Sequence, residues 1–216
     1  MKQIIHMIAV SLCIFSSSVS AKINVFACEP EWKDLVEQLG GKHVRAYAAT
    51  TAFQDPHYIE ARPSLIAKTR QADLLVCTGA ELEVGWLPLL LRQSGNAAVQ
   101  FGAPGNFMAA QQVERIEIPT VLDRSQGDVH ASGNPHVFWD PYRLQSIAKA
   151  LSDRLIMLNG EHTAYYQQRY DDFDNKWKQH IASWEALAAP LKGKKVIAHH
   201  KNWSYLLKWL GEAQRD

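Results

Sequence analysis

From Lys22 onward, short β-rich runs alternate with segments whose apolar residues recur every three or four positions. "KINVFAC" (22–28) reads as a strand, and "PEWKDLVEQLGG" (30–41) sets Trp32, Leu35, Val36 and Leu39 on one helical face before a glycine pair stops it. "HVRAYAA" (43–49) is the second strand, and "PSLIAKTRQ" (63–71) is a helix opened by Pro63 and Ser64. "ADLLVCTG" (72–79) is almost unbroken in its apolarity, as a central parallel strand is when helices cover both its faces. "GWLPLLLRQSG" (85–95) follows as a helix with Pro88 near its start. About 120 residues of this alternation predict an α/β fold, a parallel sheet with helices on both faces.

Beyond Pro141 the period is helical throughout. Leu144, Ile147, Leu151, Leu155 and Leu158 share one face up to about Asn159. Tyr166, Tyr170, Phe173, Trp177, Ile181, Trp184 and Ala188 then recur at spacings of three and four. They predict a helix of roughly 27 residues, about 40 Å long, stopped by Pro190 and Gly193. A helix of that length outruns one small domain, so it connects two parts, and its aromatic stripe reads as packing for both. "KKVIAHH" (194–200) and "NWSYLLKWLG" (202–211) begin a second α/β unit, and "EAQRD" (212–216) is too short to extend it. One strand and one short helix cannot bury a core of their own. The expected division is an N-terminal lobe over 22–160, a connecting helix over 161–190, and the start of an incomplete second lobe over 191–216.

The first 21 residues stand outside this pattern. A basic start, the apolar "IIHMIAVSLCIF" and the small-residue ending "SSSVSA" are those of a secretory signal peptide cleaved after Ala21. The apolar run is too short for comfortable membrane spanning, and Leu12 before Cys13 does not suit lipidation. The expected location is periplasmic, without stable membrane insertion. Removal of the leader leaves Cys28 and Cys77. In an exported chain they are candidates for one disulfide, two buried thiols being the alternative. A net charge of +1 offers no argument for nucleic-acid binding.

Candidate chemistry lies in the histidines. His57 sits in "QDPHYIEARPS" after the second strand, His136 in "GNPHVFWDP" at a helix entrance, and His199 and His200 in "VIAHHKNWSYL" at a strand end. Ligands of open α/β sheets bind at the carboxyl ends of strands, and neutral imidazole is the commonest nitrogen ligand for a transition metal. Three imidazoles without a thiolate suit zinc, with manganese or iron favoured as carboxylates replace nitrogens. Among the neighbours, His130 is a solvated loop residue or an accessory ligand. His199 points to the opposite strand face from His200 and reads as structural or as an accessory to the site. Asp140 caps a helix and is a candidate to orient His136. Glu60 and Glu81 read as exposed or structural.

These three motifs, with "ADLLVCTGAELE" and the long helix between them, resemble the extracytoplasmic solute-binding proteins of zinc and manganese ABC importers, cluster A-I, zinc-type. The likeness covers 22–211. It implies a two-lobed monomer joined by a rigid helix, holding Zn2+ (alternatively Mn2+) between its lobes and delivering it to a membrane permease with its ATPase. By that likeness His57, His136 and His200 are the metal ligands, the last because the family's third ligand lies five residues before a tyrosine, here Tyr205. The family's fourth ligand, a carboxylate of the second lobe, has no counterpart here, which suggests a truncated product with His200 on an unsupported strand and its helix uncovered. The "AELE" of 80–83 resembles the family's "GAELE" turn and reads as scaffold.

Two other classes compete. Three histidines with an open fourth position also suit a zinc hydrolase, although no HExxH or GxSxG motif accompanies them. An exported adhesion module is the third. Metal binding without catalysis is the expectation.

Overall fold

The computed structural model describes residues 21–121, 130–198, 200–211 and 213–215. Apart from Ala21, the segment read as a signal peptide lies outside them, as does His199. Strands β1 (Ile23–Ala27), β2 (Val44–Ala48), β3 (Leu74–Cys77) and β4 (Asn106–Met108) form one parallel sheet in the order β2-β1-β3-β4. Val25 of β1 lies beside Ala46 on one side and Leu74 on the other. The period of two then divides the core. Val25, Ala27, Leu74 and Val76 face one apolar cluster, while Phe26, Cys28, Leu75 and Cys77 face another.

Helices cover both faces. Helix α1 (Pro30–Gly40) buries Trp32, Leu35, Val36 and Leu39 in the first cluster, together with Ile147, Leu151 and Leu155 of α4 (Pro141–Leu158). On the other face, α2 (Pro63–Arg70) contributes Leu65 and α3 (Leu87–Ser94) contributes Leu87, Leu90 and Leu91. Cys28 and Cys77 are joined as a disulfide on this second side, their Cα atoms 4.8 Å apart. It ties the carboxyl ends of β1 and β3 together.

The long helix α5 runs over Thr163–Ala188, 26 residues or about 39 Å. Tyr166, Tyr170 and Phe173 pack against the first cluster, and the Trp177 indole donates to the Pro141 carbonyl at 2.8 Å. Past Ile181 the helix leaves the lobe: Trp184 is partly and Leu187 largely exposed. The aromatic stripe is therefore packing for one lobe as far as Ile181.

The last segment departs from the sequence expectation. Strand β5 (Lys195–Ile197) pairs in parallel with β6 (Ala213–Arg215), formed by residues that looked too short to contribute. Helix α6 (Ser204–Leu210) is not uncovered either: Tyr205 and Leu207 are buried, and Tyr205 belongs to the first lobe's core. β5 itself stays open, with Ile197 89% exposed. Among the described residues no helix is long and apolar enough to cross a membrane.

Candidate metal centre

His57 and His136 are presented by the same local device. Each is the third residue of an Asx-Pro-His triplet, Asp55-Pro56-His57 and Asn134-Pro135-His136. Proline fixes its own backbone and offers no N–H, so the preceding side chain reaches past it to the histidine. Asp55 Oδ1 accepts from the His57 backbone N–H at 3.0 Å and lies 2.7 Å from its Nδ1. Asn134 Oδ1 does the same for His136, at 2.9 Å and 2.9 Å. An oxygen acceptor at Nδ1 requires that nitrogen to carry the proton, which leaves the Nε2 lone pair for a ligand.

Both triplets are anchored. The Trp86 indole donates to the Pro56 carbonyl at 2.8 Å, and a β-carbon at Gly85 would come within 3.1 Å of the His57 carbonyl oxygen, so the chain passes closest where there is no side chain. Asn134 is only 5% exposed, and both its side-chain groups are fully used. Besides His136, its Nδ2 donates to Glu117 at 2.8 Å and to the Lys201 carbonyl at 2.7 Å. This last bond ties the second histidine to the backbone next to the third.

The rings converge on a cleft of about 530 Å³ above the sheet, lined by His57, His136, His200, Glu29 and Asp55 among others. His136 and His200 have ring centres 5.6 Å apart; His57 lies 6.5 Å from His136 and 6.4 Å from His200. Imidazoles holding zinc at about 2.0–2.1 Å in a tetrahedron keep their ring centres roughly 5 Å apart. The donor types suit such an ion, but the rings stand up to about 1.5 Å wider than that, and among the described residues the histidines do not form a closed ligand group. His136 is 8% exposed. Its burial, reinforced by His200, His130 and His57, pushes its pKa down to about 3. At neutral pH it is an uncharged imidazole, as ligation requires. Although burial acts the other way, the hydrogen bonds from His57 hold the Asp55 carboxyl below its usual range.

Two sequence readings change. Asp140 does not orient His136; its Oδ1 caps α4 by accepting from Tyr142 N at 2.9 Å and Arg143 N at 3.2 Å, while Oδ2 pairs with the Arg143 guanidinium. Asn134 orients the ring instead, and the Asx-Pro-His pattern was the available signal. His130, read first as a solvated loop residue, is half-buried with its Nε2 3.4 Å from that of His57.

A pair of buried carboxyls also escaped the sequence. Glu29, 3% exposed, lines the cleft floor, where its Oε2 accepts from the Thr78 hydroxyl at 3.0 Å. Glu83 of the "AELE" turn accepts from Thr78 N at 2.7 Å and Gly79 N at 3.0 Å. Burial, then the neighbouring Glu83, raises the Glu29 pKa well above the usual carboxylate value. Burial raises Glu83 to about 7 against the opposing Gly79 and Thr78 N–H bonds. Glu81 sits in the left-handed region at φ 71° and accepts from Ala131 N at 2.7 Å.

The parallel α/β lobe, continued by a long helix into a further strand–helix unit, matches part of the fold of the ZnuA-like binding proteins. The chain belongs to the ZnuA family, "Zinc-uptake complex component A periplasmic", whose model matches residues 25–215. It is 33% identical over 171 residues to the manganese ABC transporter substrate-binding lipoprotein scaA of Streptococcus gordonii, covering 74% of this chain and 50% of that protein. The metal ABC transporter substrate-binding lipoprotein SloC of Streptococcus mutans is 22% identical over 201 residues, 91% of this chain and 62% of the relative. Among solved structures, ZnuA superposes with a TM-score of 0.73 at 20% identity, over 89% of this chain and 69% of that one. Zn(II)-bound AdcA from Streptococcus pneumoniae gives a TM-score of 0.72 at 20% identity, over 90% and 39%. At such identity the structural likeness speaks for the fold. The chain spans 62% or less of the length of these two curated relatives.

Proposed function

We propose that this chain is an extracytoplasmic solute-binding protein that takes up zinc through His57, His136 and His200 and passes it to an ABC importer's permease and ATPase. The observation that carries the reading is the pair of Asx-Pro-His triplets, which fix two imidazoles with Nε2 free and aim them at one cleft shared with His200. Membership of the ZnuA family supports the transport role. Zinc is preferred to manganese because nitrogen donors dominate the set, and manganese favours oxygen. The relative from S. gordonii is named for manganese, so the choice of ion is tested directly.

The test is calorimetric titration of the purified chain with Zn2+ and Mn2+, beside a His57→Ala/His136→Ala double variant. One zinc per chain, abolished in the double variant, with manganese bound more weakly, is the expected result. Equal zinc binding by the double variant refutes the assignment, and steady zinc-dependent hydrolysis of ester or peptide substrates refutes a purely binding role.

A further inference from the structure

We propose that the stacked imidazoles of His43 and His162 form an acid-operated latch: the pair holds the root of the long helix to the first lobe while it carries at most one proton, and a second proton releases it. The pair lies away from the cleft. His43 ends the turn between α1 and β2 and immediately precedes Val44, at the amino end of its strand. His162 stands directly before α5, in the turn that follows α4. Their ring centres are 3.6 Å apart at an interplanar angle of 23°, and the Tyr165 ring meets His43 edge-on at 4.7 Å. Two hydrogen bonds join the same elements. The Tyr165 hydroxyl accepts from Lys42 N at 3.3 Å, and Arg169 Nε donates to the Gln38 carbonyl at 2.6 Å. Gly41, at φ 50°, makes room for this contact, since a β-carbon there would collide with the Tyr165 hydroxyl.

The surroundings resist a second charge. An imidazolium carries a proton on both nitrogens, and His162 Nε2 is buried with no hydrogen-bond partner, so its N–H would lack an acceptor. Lys22 and Lys42 face the pair against Glu161. Arg169 lies over the neighbouring Tyr165 ring, and the Tyr166 ring stands edge-on to both histidines. The N-terminus of α5 adds positive potential at His162. Burial first, then His162, Lys42 and Lys22, hold His43 below the usual histidine pKa, with Glu161 opposing. Two charges 3.6 Å apart weaken binding of the second proton by about 10-fold if water screens them fully, and by about 1,000-fold at a typical protein surface. Separated rings escape this repulsion. Protons therefore bind the open latch preferentially, and opening grows as pH falls below about 6.5.

Amide hydrogen exchange on the whole chain tests the latch, with a chelator present and each rate corrected for its intrinsic pH dependence. Protection over residues 164–170 should lie below that over 147–155 of α4, which reports global opening. Between pH 7.5 and pH 5.0 it should fall about 10-fold or more, because the open state takes up the second proton near 6.5. His43→Phe keeps a ring stacked on His162 and removes one charge, so the fall over 164–170 should shrink to about threefold or less. His162→Phe should do the same from the other side, which keeps the test open if one variant misfolds. NMR titration of the imidazoles should show the pair taking up protons in two coupled steps, the lower below about pH 5.5. An undiminished fall in a folded variant overturns the latch. So does protection over 164–170 equal to that of α4 throughout, or two imidazoles that titrate independently near pH 6.5 in the folded chain.

Discussion

Replacing Asn134 separates the two tasks assigned to it. Its Oδ1 sets the tautomer of His136, and its Nδ2 bridges to Lys201 and Glu117. Asn134→Ala leaves the His136 backbone N–H and ring N–H without acceptors in a nearly dry position, each costing about 1–3 kcal/mol. We expect a loss of about 2–4 kcal/mol in unfolding free energy, measured by urea titration in the presence of a chelator. Zinc should bind about 10–100-fold more weakly, because the ring loses the partner that orients it. Asn134→Asp keeps the acceptor for His136 but turns an oxygen toward the Lys201 carbonyl and the Glu117 carboxylate. Its stability should therefore fall as far as the alanine variant's, while its zinc affinity stays within about 10-fold of wild type, a carboxylate being the stronger partner for a ligating imidazole. Asn134→Ala with wild-type stability and wild-type zinc affinity would refute the hub.

Metal-free stability should fall with acid: His136 titrates near 3 when folded and near 6.5 unfolded, so the unfolded chain gains a proton first as pH drops. That group alone removes about 2 kcal/mol by pH 5, and His136→Gln should flatten the urea-midpoint slope between pH 7.5 and 5; an unchanged slope refutes the assignment. The raised values at Glu29 and Glu83 act in the opposite sense, costing stability as pH rises above the ordinary carboxylate range, for Glu83 through about 7. Glu29→Gln should raise the unfolding free energy at pH 8, where the buried pair bears the cost of its charge, and the gain should shrink at pH 5; no gain at pH 8 counts against the pair. Complete reduction of Cys28–Cys77, 49 residues apart, should lower stability by about 4 kcal/mol on chain-entropy grounds, and an unmoved urea midpoint after thiol titration excludes that contribution.

The alternating sheet and helices were legible because burial on both faces writes itself as period: β3 is apolar at every position, and α1 shows one clean stripe. The weaker elements were not. β4 is only Asn106–Met108, too short to establish alternation, and is recruited by its neighbour through Leu75–Asn106 pairing. β6 exists by pairing with β5, a contact between residues 18 apart that no local pattern encodes. Individual histidines could be picked out from their place after strands, but their orientation was missed, although the Asx side chain two residues upstream that sets it stands in the sequence. Glu29 and Glu83 carried no signal of their own in the sequence, Glu83 reading only as part of the "AELE" scaffold turn. Their burial follows from tertiary packing of the β1 and β3 ends around Thr78.

The placement of His200 shows why local support was a poor guide to this site. Its strand is open and its pairing short, so sequence alone left the ligand unsupported. The support comes from the far side of the histidine, across the cleft. Asn134 Nδ2 holds the Lys201 carbonyl, and the Trp203 ring packs on Trp139 with centres 4.7 Å apart. The Tyr205 hydroxyl donates to the Asn134 carbonyl at 2.8 Å and accepts from Ile116 N at 3.2 Å. All of these contacts except that with Ile116 reach the first lobe within a few residues of His136. His200 is thus fastened to His136 through a shared set of hydrogen bonds rather than through its own strand. Any motion that opens the cleft while those bonds hold must move His200 and His136 together, leaving His57, on the β2 loop, as the imidazole whose distance to them changes.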